Sequence, residues 1–166
     1  MVKHVMQEEV RSRKRTHLKD FGYIGRYRYF ITICTFDKQA LFCKSDAVDQ
    51  NIKLLIELGK KYSFTIWAYC FMPDHLHLLL DGVDDNSNLR KFISMFKQKT
   101  GFWHKKSFGG RLWQANYYEH VLRRQEDLKE VAHYIFANPV RKNLVDDYKQ
   151  YPFSGSSEFD FNEANF

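Results

Sequence analysis

Three cysteines (Cys34, Cys43 and Cys70) and three prolines are all that the 166 residues contain of either type. An odd number of thiols with no CxxC pair argues against a disulfide scaffold. There is no internal repeat, no low-complexity tract and no stretch rich in proline or glycine. That excludes domains strung on flexible linkers and leaves one domain. Long apolar runs are missing too. The uncharged stretch at residues 64–73 is too short to cross a bilayer, and the opening MVKHVMQEEV has no apolar core of a signal peptide. The expectation is a cytoplasmic protein with no membrane partner.

Hydrophobic residues and aromatics are abundant. They make up 44% and 17% of the chain, with 28 Phe, Tyr and Trp together. A chain of this length buries roughly 70% of its unfolded surface, so a substantial core forms and disorder is excluded as the main state. The net charge is +6 and unevenly placed. Beyond residue 153 the chain carries Glu158, Asp160 and Glu163 and no basic group, so residues 1–153 hold a net +9. A basic run, Arg11, Arg13, Lys14 and Arg15, lies near the other end. A basic, aromatic body suits a polyanion with exposed bases; charge alone equally describes a merely soluble basic protein.

The pattern divides into a polar N-terminal arm (1–20), a domain (21–153) and an acidic tail (154–166). Within the domain, β-branched and aromatic residues predict a strand at 27–36. Helical spacing predicts a helix at 45–60 with Ser45 as N-cap. Strands at 64–72 and 75–80 flank Pro73-Asp74 as a hairpin. A second helix is expected at 88–100, a glycine-bearing loop at 107–111 and a fourth strand at 117–122. A last helix at 126–137 has Glu126 and Asp127 at its positive end and is stopped by Pro139. This order is the split βαβ pattern of ferredoxin-like α+β folds, an antiparallel sheet with helices packed on it.

Two constellations carry chemistry. In the run 70–80, CFMPDHLHLLL, alternation puts His75 and His77 on one face of a strand and Leu76, Leu78 and Leu80 on the other. The imidazoles are either a pair of metal ligands or two polar groups on a solvated face. Adding Cys70 would suggest zinc, but four ligands are needed and only a fold that brings in Cys34 or Cys43 could supply them. In YIFANPV, Tyr134 and Asn138 are one helical turn apart. Tyr134 reads as a core tyrosine or an activated nucleophile, and Asn138 as a helix C-cap or a neutral oxygen ligand.

FMPDHLHLLL resembles the histidine–hydrophobe–histidine motif of the single-tyrosine transposases of the HUH endonuclease superfamily. LWQANYYEHVLRRQEDLKEVAHYIFANPVRKNLV is similar to the second half of that family. It looks most like the REP-associated tyrosine transposase branch, whose members carry YIxxNPV after WQxxxYxH. YFITICTF and YPFSGSS also resemble family segments. Asn143 stands where glycine often follows NPV, and Glu119 where Asp is common.

The resemblance implies one divalent metal held by His75, His77 and Asn138, with Tyr134 attacking a phosphate of single-stranded or hairpin DNA. The product would be a 5′-phosphotyrosine and a free 3′-hydroxyl, with no nucleotide cofactor. Ligand softness favours zinc or a late metal for two imidazoles; the family implies magnesium or manganese. Candidate phosphate contacts are Arg11, Arg13, Lys14 and Arg15 in the arm, and Arg90, Lys97, Lys105, Lys106 and Arg111 around the second helix. The branch implies a monomer rather than a homodimer. The competing reading is a hairpin-DNA-binding protein that kept this fold without the chemistry. Asp74 is expected as a turn residue facing away from the histidines, His120 as a packing residue, and His133 outside the site.

Overall fold

The computed structural model describes residues 18–123 and 127–160. Arg11, Arg13, Lys14, Arg15 and Glu126 fall outside them. The elements follow the order β1 (Arg28–Cys34), α1 (Ser45–Lys61), β2 (Phe64–Met72), β3 (His75–Gly82), α2 (Leu89–Phe108), β4 (Tyr118–Val121), α3 (Leu128–Phe136), α4 (Asn138–Arg141) and β5 (Ser154–Gly155). The strands form one sheet in the order β4-β1-β3-β2-β5, with every neighbouring pair antiparallel. The fold is therefore α+β, with the split βαβ arrangement expected from the sequence.

Both faces of the sheet are covered. On one, Tyr29, Ile31 and Ile33 of β1 and Leu76, Leu78 and Leu80 of β3 pack against Val48, Leu55 and Leu58 of α1 and Leu89, Phe92, Ile93 and Phe96 of α2. Each fully buried leucine of β3 contributes roughly 2 kcal/mol. Phe30, Ala68, Cys70, Met72 and Leu79 face the other way, beneath Val131, Ala132, Ile135 and Phe136 of α3. The histidine face of β3 is thus a second interior, so His77 retains only 3% of its exposure.

Local chemistry sets the helix boundaries. Asn88 accepts from the Lys91 amide at 3.0 Å and caps α2; Asp127 does the same for α3 through the Lys129 amide at 2.8 Å. Ser45 is not the cap of α1: Lys44 takes that position without a side-chain bond. The helix expected at 88–100 runs on to Phe108. Its interior Gly101 costs about 1 kcal/mol, offset by buried Thr100 and His104 on either side. The chain turns out at Gly109 and Gly110, whose φ values of 77° and 74° end the helix.

Pro139 does not end the helical path. α3 closes at Ala137, and Pro139 sits in the first turn of α4, where its missing N–H would be unpaired anyway. Nor is 154–166 wholly a tail. Ser154–Gly155 pairs with Tyr69 and Cys70 of β2, and Phe159 lies edge-on to Phe136 at 6.3 Å.

Gly82 closes β3, its amide bonded to the Tyr27 carbonyl at 3.0 Å. A Cβ there would overlap the Gly25 carbonyl oxygen and lie 3.0 Å from the Ser87 Cβ. Gly25 is itself held by a 2.9 Å bond to the Ser87 carbonyl, so backbone must move. Gly82→Ala should cost about 2 kcal/mol and lower Tm by roughly 4–8 °C. Thermal denaturation followed by circular dichroism measures this; an unchanged Tm would show that the Gly25 turn yields freely.

Candidate active site

β3 is the central strand, and its neighbours in register frame the histidines. Thr32 of β1 and Cys70 of β2 lie opposite His77, while Cys34 and Met72 lie opposite His75. The two imidazoles meet edge to face, with their Nε2 atoms 3.0 Å apart. Each ring is held through its other nitrogen. Asp74 Oδ1 lies 2.5 Å from His75 Nδ1, and because a carboxylate only accepts, Nδ1 donates. Thr32 Oγ1 lies 2.9 Å from His77 Nδ1. Both rings therefore turn Nε2 toward each other.

Asp74 corrects the expectation drawn from strand alternation. It occupies the turn, where alternation does not apply, and its carboxylate orients His75. The turn is itself anchored: the Asp74 carbonyl accepts from the Thr35 amide and hydroxyl, each at 2.9 Å. The hydrogen bond from His75 holds the Asp74 carboxyl below its usual range against the opposing effect of burial. Burial first, then the neighbouring charges of His75 and Arg141, push His77 well below the ordinary histidine value. His77 is consequently neutral at physiological pH, the form that ligates a metal.

Tyr134 stands on α3, half-buried, with its ring edge-on to Phe30 at 6.2 Å. Phe30 in turn stacks on His77 at 5.5 Å. One phenyl ring thus links the tyrosine to the histidine pair. Asn138 opens α4, next to β2, and is buried. It is not a C-cap; Ala137 takes that place, in right-handed helical conformation. The one-turn relation of Tyr134 to Asn138 survives the junction for that reason. The Asn138 Nδ2 has no hydrogen-bond partner, which costs roughly 1–3 kcal/mol unless the amide engages a further group.

These groups suit a divalent ion. Two imidazole nitrogens lie 3.0 Å apart, and an amide presents oxygen or nitrogen by a half-turn of its end. Among the described residues no cluster of three or more His, Cys, Asp or Glu is placed to hold a metal, and the donors seen in contact are the two imidazoles. Cys70 lies opposite His77 in register, and burial pushes its thiol up to about 12. His120, opposite Phe30 in β4, shares this face of the sheet by register; His133 is exposed.

The basic candidates stand elsewhere. Arg90, Lys97, Lys105, Lys106 and Arg111 lie on or just after α2, the helix packed against the opposite face of the sheet. Arg90 stacks over Tyr23 at 4.7 Å and Arg111 over Phe36 at 5.1 Å. The Lys97 ammonium donates to the carbonyls of Gln114 and Ala115 at 2.8 and 2.7 Å; burial lowers its pKa to about 8. Lys97 is a strut between helix and loop, whereas Lys105 and Lys106 are exposed. Sequence reasoning missed Asp74, Thr32 and Phe30 as parts of the site; adjacency of Asp74 to His75 was the available signal for the first.

The model of the family described as "Transposase IS200 like" matches residues 24–138. A Haemophilus influenzae protein described as a REP-associated tyrosine transposase is 29% identical over 137 residues, covering 76% of this chain and 77% of that protein. The REP-associated tyrosine transposase of Escherichia coli is 29% identical over 104 residues, covering 60% of this chain and 59% of its own. Among solved structures, a REP-associated tyrosine transposase bound to a REP hairpin superposes with a TM-score of 0.70 at 20% identity, over 84% of this chain and 82% of that one. That match shows the shared fold. With most of the domain covered by the family model, the chain belongs to the IS200-like transposase family.

Proposed function

We propose that this protein cleaves and rejoins single-stranded DNA at hairpins through a covalent bond to Tyr134. The observation that carries the reading is the convergence of His75 and His77 Nε2 at 3.0 Å, linked through Phe30 to Tyr134 on the same face of the sheet. The solved relative bound to a REP hairpin supports a hairpin substrate.

The chain's own groups divide the work. Asp74 and Thr32 fix the imidazoles, and burial keeps His77 neutral. The Tyr134 phenol loses its proton and its oxygen bonds to the scissile phosphorus. The bond to the 3′-oxygen breaks, and that oxygen leaves as a 3′-hydroxyl after taking up a proton. The phosphodiester is exchanged rather than hydrolysed, so a 3′-hydroxyl returning to the phosphotyrosine restores a DNA strand without a nucleotide cofactor. His75, His77 and Asn138 would hold one magnesium or manganese ion, which would supply Lewis-acid polarisation of the phosphate. Lys105 and Lys106, with Arg90, Arg111 and the arm residues Arg11, Arg13, Lys14 and Arg15, supply backbone contacts; Lys97 contributes by shaping the loop. The protein acts as a monomer in the cytoplasm.

Tyr134→Phe should abolish the covalent protein–DNA adduct on hairpin oligonucleotides while hairpin affinity stays within about twofold; a denaturing gel and a gel-shift titration read the two. An adduct persisting in that variant removes Tyr134 from the chemistry. Asp74→Asn should raise the manganese concentration needed for half-maximal adduct formation by roughly 10–100-fold. Full adduct formation by the unaltered protein in excess EDTA would exclude the metal altogether.

A further inference from the structure

Arg141 ends α4 and folds back onto α3. Its guanidinium carbon lies 4.0 Å from the centroid of the Tyr134 ring, and Nη1 donates to the Tyr134 backbone carbonyl at 3.0 Å. The cation therefore contacts both the ring and the backbone of one residue in the last turn of α3. From the sheet side the same ring meets the edge of Phe30. The tyrosine is therefore held between a flat cation and an apolar ring. Arg141 is exposed and belongs to neither core cluster; its side chain is spent on the tyrosine and not on packing the interior.

We propose that Arg141 is a positioning residue for Tyr134. A half-buried tyrosine on a helix has two χ1 wells open to it. A guanidinium lying on the ring and bonded to the same residue's backbone selects one of them, and does so before substrate arrives. Arginine suits this because its planar fork stacks and donates at the same time. The effect falls on alignment of the attacking oxygen, where small displacements carry large rate penalties. This inference rests on the reading of Tyr134 as the nucleophile.

The test uses the full-length protein and a pool of hairpin oligonucleotides with randomised single-stranded flanks, in manganese buffer. Single-turnover adduct formation is measured at saturating protein, alongside hairpin Kd and Tm. Arg141→Met keeps the length of the side chain without its charge. It should slow the covalent step by tenfold or more, with Kd within twofold and Tm within a degree of the unaltered protein. Arg141→Lys keeps a cation within reach of ring and carbonyl and should recover the rate to within about fivefold. An Arg141→Met variant that reacts at the normal rate overturns the inference, as does a rate loss matched by equal losses of affinity or Tm. Tyr134→Phe runs beside them. If it still forms adduct, or if the unaltered protein forms none, the nucleophile reading falls; if it forms none while Arg141→Met reacts normally, only the role of Arg141 falls.

Discussion

The constraint on which the rest depends is the two-residue repeat of β3, a strand hydrogen-bonded on both sides. Its leucines at 76, 78 and 80 are committed to the core beneath α1 and α2, which obliges His75 and His77 to share the opposite face. A slip of one residue would bury both imidazoles among leucines and send the leucines under α3. Neighbouring strands then supply Thr32 at the register position that meets His77. The turn bonded to Thr35 supplies Asp74 to His75.

The electrostatics separate into two regions with different work. Around the histidines stand a carboxylate tied to His75 and a buried thiol opposite His77, and the charge of Arg141 is felt there. Along α2 there is no acidic side chain, while Arg90, Lys91, Lys97, Lys99, Lys105 and Lys106 are all basic. Positive charge is thus spread along one helix, on the face of the sheet away from the histidines. Lys97 shows that basic residues on that helix are not equivalent, since its ammonium is already engaged by two carbonyls.

Much of this was legible in the sequence, and the reasons for the remainder are physical. Strands, the hairpin at Pro73-Asp74 and the shared face of His75 and His77 follow from alternation, which is local. The one-turn relation of Tyr134 to Asn138 was readable from their spacing. Extension of α2 past Gly101 was not, because tertiary burial of Thr100 and His104 outweighs a local glycine penalty. Pro139 reads as a stop in any local rule, yet a proline starting a new turn costs nothing there. Asp74 was misjudged because alternation was carried into a turn. The pairing of Ser154–Gly155 with β2 joins segments far apart in sequence, beyond the reach of local pattern. Burial of the histidine face depends on α3 docking from the far end of the chain.

Phe30 touches both halves of the site through one side chain: His77 stacks on it and Tyr134 meets its edge. Helix α3 and strand β3 come from distant parts of the sequence, and this single ring serves as the gauge block between them. The gap between the prospective nucleophile and the histidines is accordingly set by the thickness and tilt of an inert hydrocarbon. The spacing of the candidate site is in that sense a packing tolerance, fixed by a side chain with no titratable or coordinating group.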